Sequence, residues 1–295
     1  MTLGYGIPLS EVRSAVSIAL AEDVGYGDVT TLVTVRASTV AAARIVAEES
    51  GIVAGIPAAI ETFNQVDPNL RIEVRRQEGS PCEPGTILME MEGAARSILT
   101  GERIALNFLQ RLSGIATLTN RYVEAAKPYP VRIVNTRKTT PGLRALERYA
   151  VLVGGGENHR FGLFDAVLIK DNHILASGSI TKAVESARKF APHTMTITVE
   201  CESLAQVDEA IASRPDIILL DNMDADTLKI AVEKAHAACL KVEVSGGIEL
   251  DAIPTIAVSG ADIISVGALT HSAPSLDISM DLHKVRIQQG VASPP

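Results

Sequence analysis

The sequence predicts an α/β protein with a small N-terminal domain built on an antiparallel sheet and a larger barrel of parallel strands. Residues 39–92 alternate short strand-like runs with turns, a pattern typical of antiparallel sheets. After Pro130 short apolar runs alternate with helix-like stretches, which indicates parallel strands that helices cover on their outer faces. Six such runs in one direction favour a closed or nearly closed barrel over a single nucleotide-binding fold.

Length and composition limit the function classes. The chain has 295 residues, of which 46% are hydrophobic and 21% charged, as expected for two domains or one large barrel with an appendage. The net charge of -8 and the scarcity of aromatic residues argue against a nucleic-acid partner. The three cysteines form no CxxC pair, so we expect neither a disulfide framework nor a structural zinc site.

The expected location is the cytoplasm. The first residues lack a basic region followed by an apolar core, so they do not resemble a signal peptide. No apolar run approaches the length that crosses a bilayer, and we therefore expect no membrane partner.

The N-terminal elements follow in order. A helix is predicted to open near Pro8 and Ser10, and the acidic, glycine-containing segment 22–31 reads as a loop. The strand-like region 39–92 comes next, and the chain turns helical from 97 to about 126. In that helix Arg103, Asn107 and Arg111 recur every four residues and therefore share one face.

The predicted parallel strands each end in a polar or glycine residue. The runs are VRIVNTRK, DAVLIKDN, MTITVE, DIILLDN, KVEVSGG and DIISVG, and their last functional positions are Lys138, Lys170, Glu200, Asp221, Ser245 and Gly267. In parallel barrels the carboxyl ends of the strands converge on one face, where active sites lie. Ser203, with Gln206 three residues later, predicts the start of one of the intervening helices.

Cations are concentrated at these strand ends, although the protein as a whole is acidic. They are Arg137, Lys138, His159, Arg160 and Lys170. Arginine binds carboxylate and phosphate in a bidentate manner, and lysine acts as a mobile point charge. The set predicts a positive pocket for a multiply anionic ligand. The alternative is that some of these side chains pair with surface acids.

Two carboxylates close adjacent strands. Glu200 and Asp221 suit Mg2+, bound directly or through waters and shared with substrate phosphates or hydroxyls. The alternative role is to neutralise the charges of Lys138 and Lys170 at the same end of the predicted barrel.

Glycines end the last two strands. The turn Ser245, Gly246 and Gly247 and the later Gly267 let backbone N–H groups approach a phosphate. Tight turns after strands also use glycine, so a purely structural role stays open. His271 either contacts the same phosphate or starts a helix, and Cys201, next to Glu200, is expected to point away and pack in the core.

The ordered segments resemble the type II phosphoribosyltransferases, specifically the quinolinate phosphoribosyltransferase family. The segments are GERIALNFLQRLSGIAT, NTRKTTPGLRALERYAV, GGGENHR, VLIKDNH, DIILLDN, EVSGGI and ISVGALTHS, and they extend from Glu22 to about Asp277. Ile104 stands where threonine is more usual. The resemblance implies an N-terminal α/β sandwich domain (1–112) and an open α/β barrel (113–271), with a tail (272–295) that packs back on the first domain.

The resemblance also implies an activity: phosphoribosyl transfer from phosphoribosyl pyrophosphate to quinolinate with decarboxylation, giving nicotinate mononucleotide for NAD biosynthesis. Mg2+ is the implied cofactor. A homodimer, or a larger homo-oligomer, is implied, in which each copy completes the other's site.

Site roles are implied as well. Quinolinate would contact Arg103 from the neighbouring copy together with Arg137, His159, Arg160 and Lys170. Phosphoribosyl pyrophosphate would contact Lys138, Glu200, Asp221, Ser245, Gly246, Gly247, Gly267 and His271. The catalytic groups would be Lys138, Lys170, Glu200 and Asp221, and Glu200 and Asp221 would also bind the metal.

Other functions remain open from the residues. A relative that uses nicotinate or another aromatic acid would share most of these motifs without needing a second carboxylate clamp. A barrel aldolase would use Lys170 as a Schiff-base amine at its strand end. A non-catalytic phosphate sensor would bind without turnover.

Overall fold

The computed structural model describes residues 6–287. Its helices are α1 Leu9–Asp23, α2 Val29–Thr34, α3 Ile56–Val66, α4 Ala95–Ala126, α5 Arg144–Val153, α6 Asp171–Ser177, α7 Ile180–Phe190, α8 Leu204–Ser213, α9 Ala225–Ala237, α10 Ile253–Val258 and α11 Ala268–His271. Its strands are β1 Thr39–Ala47, β2 Gly51–Ile52, β3 Arg71–Val74, β4 Pro81–Cys82, β5 Ile87–Ala94, β6 Arg132–Val134, β7 Val167–Ile169, β8 Ile197–Cys201, β9 Ile217–Asp221, β10 Lys241–Ser245, β11 Ile263–Ser265 and β12 Ile278–Ile287.

The chain forms two compact units. Among the described residues, the first contains 6–118, 140–154 and 273–287, and the second contains 119–139 and 155–272. The predicted domain limits, at 112/113 and 271/272, stay a prediction. The last part of the predicted tail, 288–295, lies outside the described residues.

The first unit is built on a four-stranded sheet in the order β12-β1-β5-β3. Its described strand pairs are antiparallel. Ala41, Ala43 and Ile45 alternate along β1 and are buried, because a strand turns every second side chain to the same face. They join one apolar core with Phe63 of α3 and the inner face of α4.

Two helices in this unit correct the sequence interpretation. The helix α3 lies within the region predicted as strand, where Ile56, Ala59, Ile60 and Phe63 follow the helical period of 3.6 residues. The predicted loop 22–31 ends in the short helix α2, because the Asp28 side chain accepts a hydrogen bond from the Thr31 backbone N at 3.0 Å and so caps it. The first helix begins at Leu9 after Pro8, as predicted.

The second unit is built on a six-stranded parallel sheet in the order β6-β11-β10-β9-β8-β7. The strands β6 and β7 are at its two ends, so among the described pairs the sheet is open. Helices follow the strands, and α7, α8 and α9 start at side-chain caps from Ser179, Ser203 and Asp224. The predicted α/β fold, with a sheet domain followed by parallel strands, is confirmed.

The predicted helix start at Ser203 is also confirmed. Its hydroxyl oxygen accepts a hydrogen bond from the Gln206 backbone N at 3.4 Å, and the Gln206 side chain in turn accepts one from the backbone N of Glu202 at 2.7 Å. In a capping box the second bond reaches the backbone N of the capping residue, whereas here it reaches Glu202, the residue before Ser203. Within residues 6–287, no helix combines the length and apolar character that crossing a membrane requires.

Candidate active site

A cavity of about 680 Å³ opens at the carboxyl ends of the parallel strands in the second unit. The strands are short, so their first loop residues project directly into it. The lining residues are Tyr122, Thr136, Arg137, Lys138, His159, Arg160, Leu168, Lys170, Glu200, Leu219, Asp221, Asn222, Glu243, Ser245, Gly246, Gly247, Ile248, Glu249, Ser265, Gly267, Ala268 and His271. The structure thus brings together every predicted site residue except Arg103.

Arg103 belongs to the first unit and lies exposed on α4. It does not line the cavity. Its predicted contribution across a dimer interface stays a prediction.

Four permanent cations line one cavity, as the strand-end pattern predicted. Arg137 and Lys138 follow β6, Arg160 precedes β7, and Lys170 follows β7 directly. The predicted run 131–138 is a strand only at Arg132–Val134, so Arg137 and Lys138 lie in the loop beyond it. Burial and the nearby Arg137 charge lower the pKa of Arg160, which nevertheless stays charged near neutral pH.

The Arg160 guanidinium is held in part by its own loop. Its Nη1 donates a hydrogen bond to the Ala166 carbonyl oxygen at 3.0 Å. One edge of the planar guanidinium group is therefore held in place. Less side-chain conformational entropy is then lost when the group binds an anion.

The two predicted acids have different neighbours. The Glu200 carboxylate is buried and forms an ion pair with the ammonium group of Lys170, so the predicted neutralising role holds for this acid. Asp221 instead accepts hydrogen bonds from the Ser245 hydroxyl and, at 2.8 Å, from the Asn222 side chain. Within the described part of the chain, no ion pair joins Asp221 to Lys138.

A third carboxylate approaches the same point. One oxygen each from Glu200, Glu202 and Asp221 lie within 4.8 Å of one another, a spacing at which a single cation can bind all three. Glu202 was missed because it follows β8, one residue beyond the buried Cys201, and not at the strand position that the pattern singles out. Oxygen donors of this kind suit a hard divalent ion.

The glycine turn after β10 has a conformation that side chains disfavour. Gly246 has φ +100 and Gly247 has φ +52, and the facing Asn222 also has a positive φ of 53. Tyr122 donates a hydrogen bond from its hydroxyl to the Ile248 carbonyl oxygen at 3.2 Å and so supports the far side of the turn. Backbone N–H groups in such turns can face a phosphate.

The second glycine turn leads into a helix of four residues. Gly267 precedes α11, and the Thr270 hydroxyl donates a hydrogen bond to the Lys138 carbonyl oxygen at 2.7 Å, which ties the loop after β6 to this helix. His271 ends α11, so the expectation that it starts a helix is wrong. Its ring lines the cavity beside Gly267, which leaves the phosphate-facing interpretation as a prediction.

Cys201 packs in the core, as predicted. Its side chain is fully buried on β8, on the face opposite to that of Glu200. Burial, with the nearby Glu200 and Glu209 charges, raises its pKa to about 12. The thiol therefore stays protonated near neutral pH and is no nucleophile.

Glu243 is the main residue that sequence reasoning missed. It lies in the middle of β10, is only 2% exposed, and lines the cavity. Its Oε1 is 3.3 Å from Nε2 of His159. The sequence does contain a pattern that predicts this position. Alternate residues of a strand face the same side, so Glu243 lies on the same inward face as Ser245.

Comparisons with known proteins agree over nearly the whole chain. Residues 28–113 match the family model for the quinolinate phosphoribosyl transferase N-terminal domain, and residues 115–281 match the model for the C-terminal domain. A Synechocystis protein named probable nicotinate-nucleotide pyrophosphorylase [carboxylating] is 47% identical over 265 residues, covering 89% of this chain and 90% of that protein. A Bacillus subtilis protein with the same name is 46% identical over 261 residues, covering 88% and 90%.

Solved structures agree in the same way. The crystal structure of NadC from Streptococcus pyogenes is 40% identical, with a TM-score of 0.90, and the match covers 96% of this chain and 99% of that one.

Proposed function

The chain belongs to the quinolinate phosphoribosyltransferase family, and on that basis we propose that its cavity transfers phosphoribosyl from phosphoribosyl pyrophosphate to quinolinate with loss of CO2. The enzyme is a nicotinate-nucleotide pyrophosphorylase of the carboxylating type, a transferase of NAD biosynthesis. The observation that supports the assignment of the site is the convergence of four cations and a carboxylate cluster on one cavity.

The first difficulty of this reaction is electrostatic. Quinolinate carries two carboxylates and phosphoribosyl pyrophosphate carries several phosphate charges, so the substrates repel each other in a shared cavity. Arg137, Arg160 and Lys170, with His159, face the aromatic acid, and Lys138 faces the pyrophosphate. Leu168 and Leu219 supply apolar surface for the pyridine ring in the same cavity. Fixed opposite charges offset the repulsion and hold the reacting atoms close.

The phosphoribosyl group is held at the other wall. The turn of Ser245, Gly246 and Gly247, with Gly267 and His271, binds the 5'-phosphate through backbone N–H groups and the His271 ring. Glu200 and Asp221 accept hydrogen bonds from the ribose hydroxyls. Their negative charge also favours a ribose that becomes positive at the anomeric carbon.

The carboxylate cluster fits Mg2+. Glu200, Glu202 and Asp221 would hold the ion, since their oxygens approach within 4.8 Å of one another. When bound, Mg2+ supplies positive charge that offsets the charge of the pyrophosphate.

The chemistry then balances in two stages. The bond from the anomeric carbon to the pyrophosphate oxygen breaks with its electron pair, Lys138 stabilises the released charge, and the pyridine nitrogen bonds to that carbon. The ring nitrogen is now positively charged. The adjacent carbon loses its carboxylate as CO2, keeps the electron pair, which the charged nitrogen stabilises, and takes one proton that solvent ultimately supplies. The products are nicotinate mononucleotide, pyrophosphate and CO2.

The functional unit is a homodimer in this proposal. Arg103 is exposed on the first unit and does not line the cavity, and a second copy of the chain brings it to the quinolinate carboxylates. A larger homo-oligomer built from such dimers is compatible with the same contact.

The test is product formation from phosphoribosyl pyrophosphate and Mg2+ with quinolinate or, separately, with nicotinate. We expect nicotinate mononucleotide and CO2 from quinolinate only, detected by mass. Turnover of nicotinate but not of quinolinate would show that this chain has the acid specificity of a different relative. The aldolase alternative gains no support, because Lys170 is ion-paired with Glu200 and a charged amine does not form a Schiff base. Borohydride should therefore trap no carbonyl substrate on Lys170.

A further inference from the structure

Glu243 occupies a position that mirrors Glu200 across the sheet. In the register of the parallel strands, Leu219 of β9 pairs with Glu200 of β8 on one side and with Glu243 of β10 on the other. All three side chains line the cavity. Two buried carboxylates therefore stand at the same level of the sheet, with one leucine between them.

The two carboxylates differ in how their charge is compensated. Glu200 has the ammonium group of Lys170 within hydrogen-bonding distance. Glu243 has the His159 ring, whose Nε2 is 3.3 Å from Oε1 but is not aligned for a hydrogen bond. Among the described residues, Oε1 of Glu243 is buried and accepts no hydrogen bond. An unsatisfied buried acceptor costs stability, and such groups are few in folded proteins.

The backbone of the next residue, Arg160, orients the His159 ring toward this carboxylate. The backbone N–H of Arg160 donates a hydrogen bond to His159 Nδ1 at 2.7 Å. A nitrogen that accepts cannot carry a proton, so the neutral ring has its proton on Nε2, which is the nitrogen that faces Glu243. A small rotation of the ring or of the carboxylate would complete the hydrogen bond.

From this arrangement we propose that Glu243 is a positioning residue that acts through His159. Its carboxylate faces the Nε2–H edge of the ring, whose tautomer the Arg160 backbone N–H sets, and so fixes the orientation of the ring in the acid-binding half of the cavity, at a cost in stability. The inference deepens the proposed function and rests on it for its kinetic consequence. The effect on the ring itself does not depend on the identity of the substrate.

The kinetic test uses Glu243→Gln, which keeps the shape and removes the charge. We expect kcat/KM for quinolinate to fall on the order of tenfold, because a ring that is no longer held in one orientation positions the acid less well. The KM for phosphoribosyl pyrophosphate should stay within about twofold. In a His159→Asn background the same change should have little further effect, because the partner is already gone. Additive losses would overturn an action through His159.

The stability test separates this role from a purely structural one. Because Glu243→Gln removes a buried charge with an unsatisfied oxygen, its Tm should equal or exceed that of the wild type. Exposed Glu233 on α9 offers the matched control, since Glu233→Gln removes the same charge outside the cavity and should change neither activity nor Tm. A clearly lower Tm for Glu243→Gln would mean that the carboxylate supports the fold, and the proposal would fail.

The spectroscopic test needs no substrate. In protein labelled with 15N-histidine, the His159 ring, identified by its loss in His159→Asn, should show the Nε2–H tautomer in the wild type. In Glu243→Gln the tautomer should stay the same, because the hydrogen bond from Arg160 remains, and the Nε2 signal should shift, because the carboxylate that faces it is gone. Identical ring signals in both proteins would overturn the proposal. If the wild type shows the expected tautomer but does not turn over quinolinate, the proposed function fails and the inference about the ring stands.

Discussion

Gly246 lies so close to Asn222 that a Cβ atom at position 246 would stand 2.3 Å from Asn222 Oδ1 and 2.8 Å from its backbone nitrogen. The φ of +100 at Gly246 excludes ordinary side chains independently of this contact. Two adjacent strand ends thus share a space that only glycine fits. The turn predicted to hold the 5'-phosphate is therefore set by packing as well as by backbone freedom.

We expect Gly246→Ala to raise the KM for phosphoribosyl pyrophosphate strongly and to lower the free energy of unfolding by about 1–3 kcal/mol, the usual range for a strained backbone. Gly85 is the matched control: its φ is +85, but nothing lies within 4 Å of a Cβ placed there. Gly85→Ala should lose stability and keep its kinetics. An unchanged KM in Gly246→Ala, measured by initial rates, would remove this turn from the phosphate site.

The buried carboxylate of Glu147 in the first unit predicts a large stability effect. It is fully buried, and Arg111 donates to it from Nη2 at 2.8 Å while the Thr140 backbone N donates at 2.9 Å. Arg111→Met leaves this charge without its cation and should cost about 3–5 kcal/mol in urea unfolding. The exposed pair of Lys127 and Glu124 is the control, and Lys127→Ala should cost at most about 1 kcal/mol. Similar losses in both variants would contradict the assignment.

Glu78 predicts a pH dependence of stability. Burial raises the pKa of its carboxyl above the usual 4.5, although hydrogen bonds from the Tyr149 hydroxyl and the Ile56 backbone N oppose the shift. The folded protein thus holds this proton more tightly than the unfolded one. The resulting stability is fully present below the unfolded pKa and is lost as the pH rises through the folded pKa.

Urea unfolding at a series of pH values checks this sign. Relative to Glu78→Gln, the wild type should lose free energy of unfolding from about pH 4.5 upward and then reach a plateau. A wild type that loses free energy of unfolding relative to Glu78→Gln as the pH falls would show that the folded carboxylate is stabilised, the opposite of the shift described.

The cationic wall predicts the kinetics of acid binding. Arg137→Ala or Arg160→Ala should lower kcat/KM for quinolinate by the equivalent of about 2–5 kcal/mol, because a carboxylate loses its partner in a desolvated cavity. Arg132→Ala is the control, since its partly exposed side chain pairs with Glu157 outside the cavity. Initial rates at varied quinolinate concentration give kcat/KM for each variant. Unchanged kinetics in both cavity variants would refute the assignment of the acid pocket.

The exposed position of Arg103 predicts complementation between subunits. An inactive Arg103→Ala protein mixed with an inactive Lys138→Ala protein should regain partial activity, because hybrid dimers contain one site with both residues intact. Subunit exchange is verified with two tags of different mass. No recovery despite exchange would exclude a site shared in this way.

The geometry of parallel strands explains why so much of the candidate site could be predicted from the sequence. Asp221 and Ser245 end their strands, Lys170 directly follows one and Glu200 is the last but one residue of β8, and parallel strands bring their carboxyl ends to one edge. The apolar runs therefore predicted where the strands end, and with them the position of the cavity, before any contact was known. The functional roles of these residues, Mg2+, the dimer and the cytoplasmic location stay predictions.

What could not be predicted depends on positions inside elements. Glu243 lies in the middle of β10, so a pattern of polar residues at strand ends does not include it. Its contact with His159 joins residues 84 positions apart that no local pattern connects. The helix α3 was hidden for another reason: its short apolar run satisfies strand and helix periods alike until the fourth apolar position, Phe63, decides for the helix.

The sheet of the first unit has a consequence for protein synthesis. Its strand β1 pairs along its length with β12, from Thr39 with Ile287 to Ala47 with Ile278. The ribosome therefore makes one partner long before the other, and the segments of the second unit emerge in between. Until Ile287 has left the exit tunnel, the nascent chain carries an open, largely apolar strand edge that can pair with other chains. Folding of this unit should consequently wait until β12 has emerged from the ribosome, and chains stalled before residue 278 should be prone to aggregation.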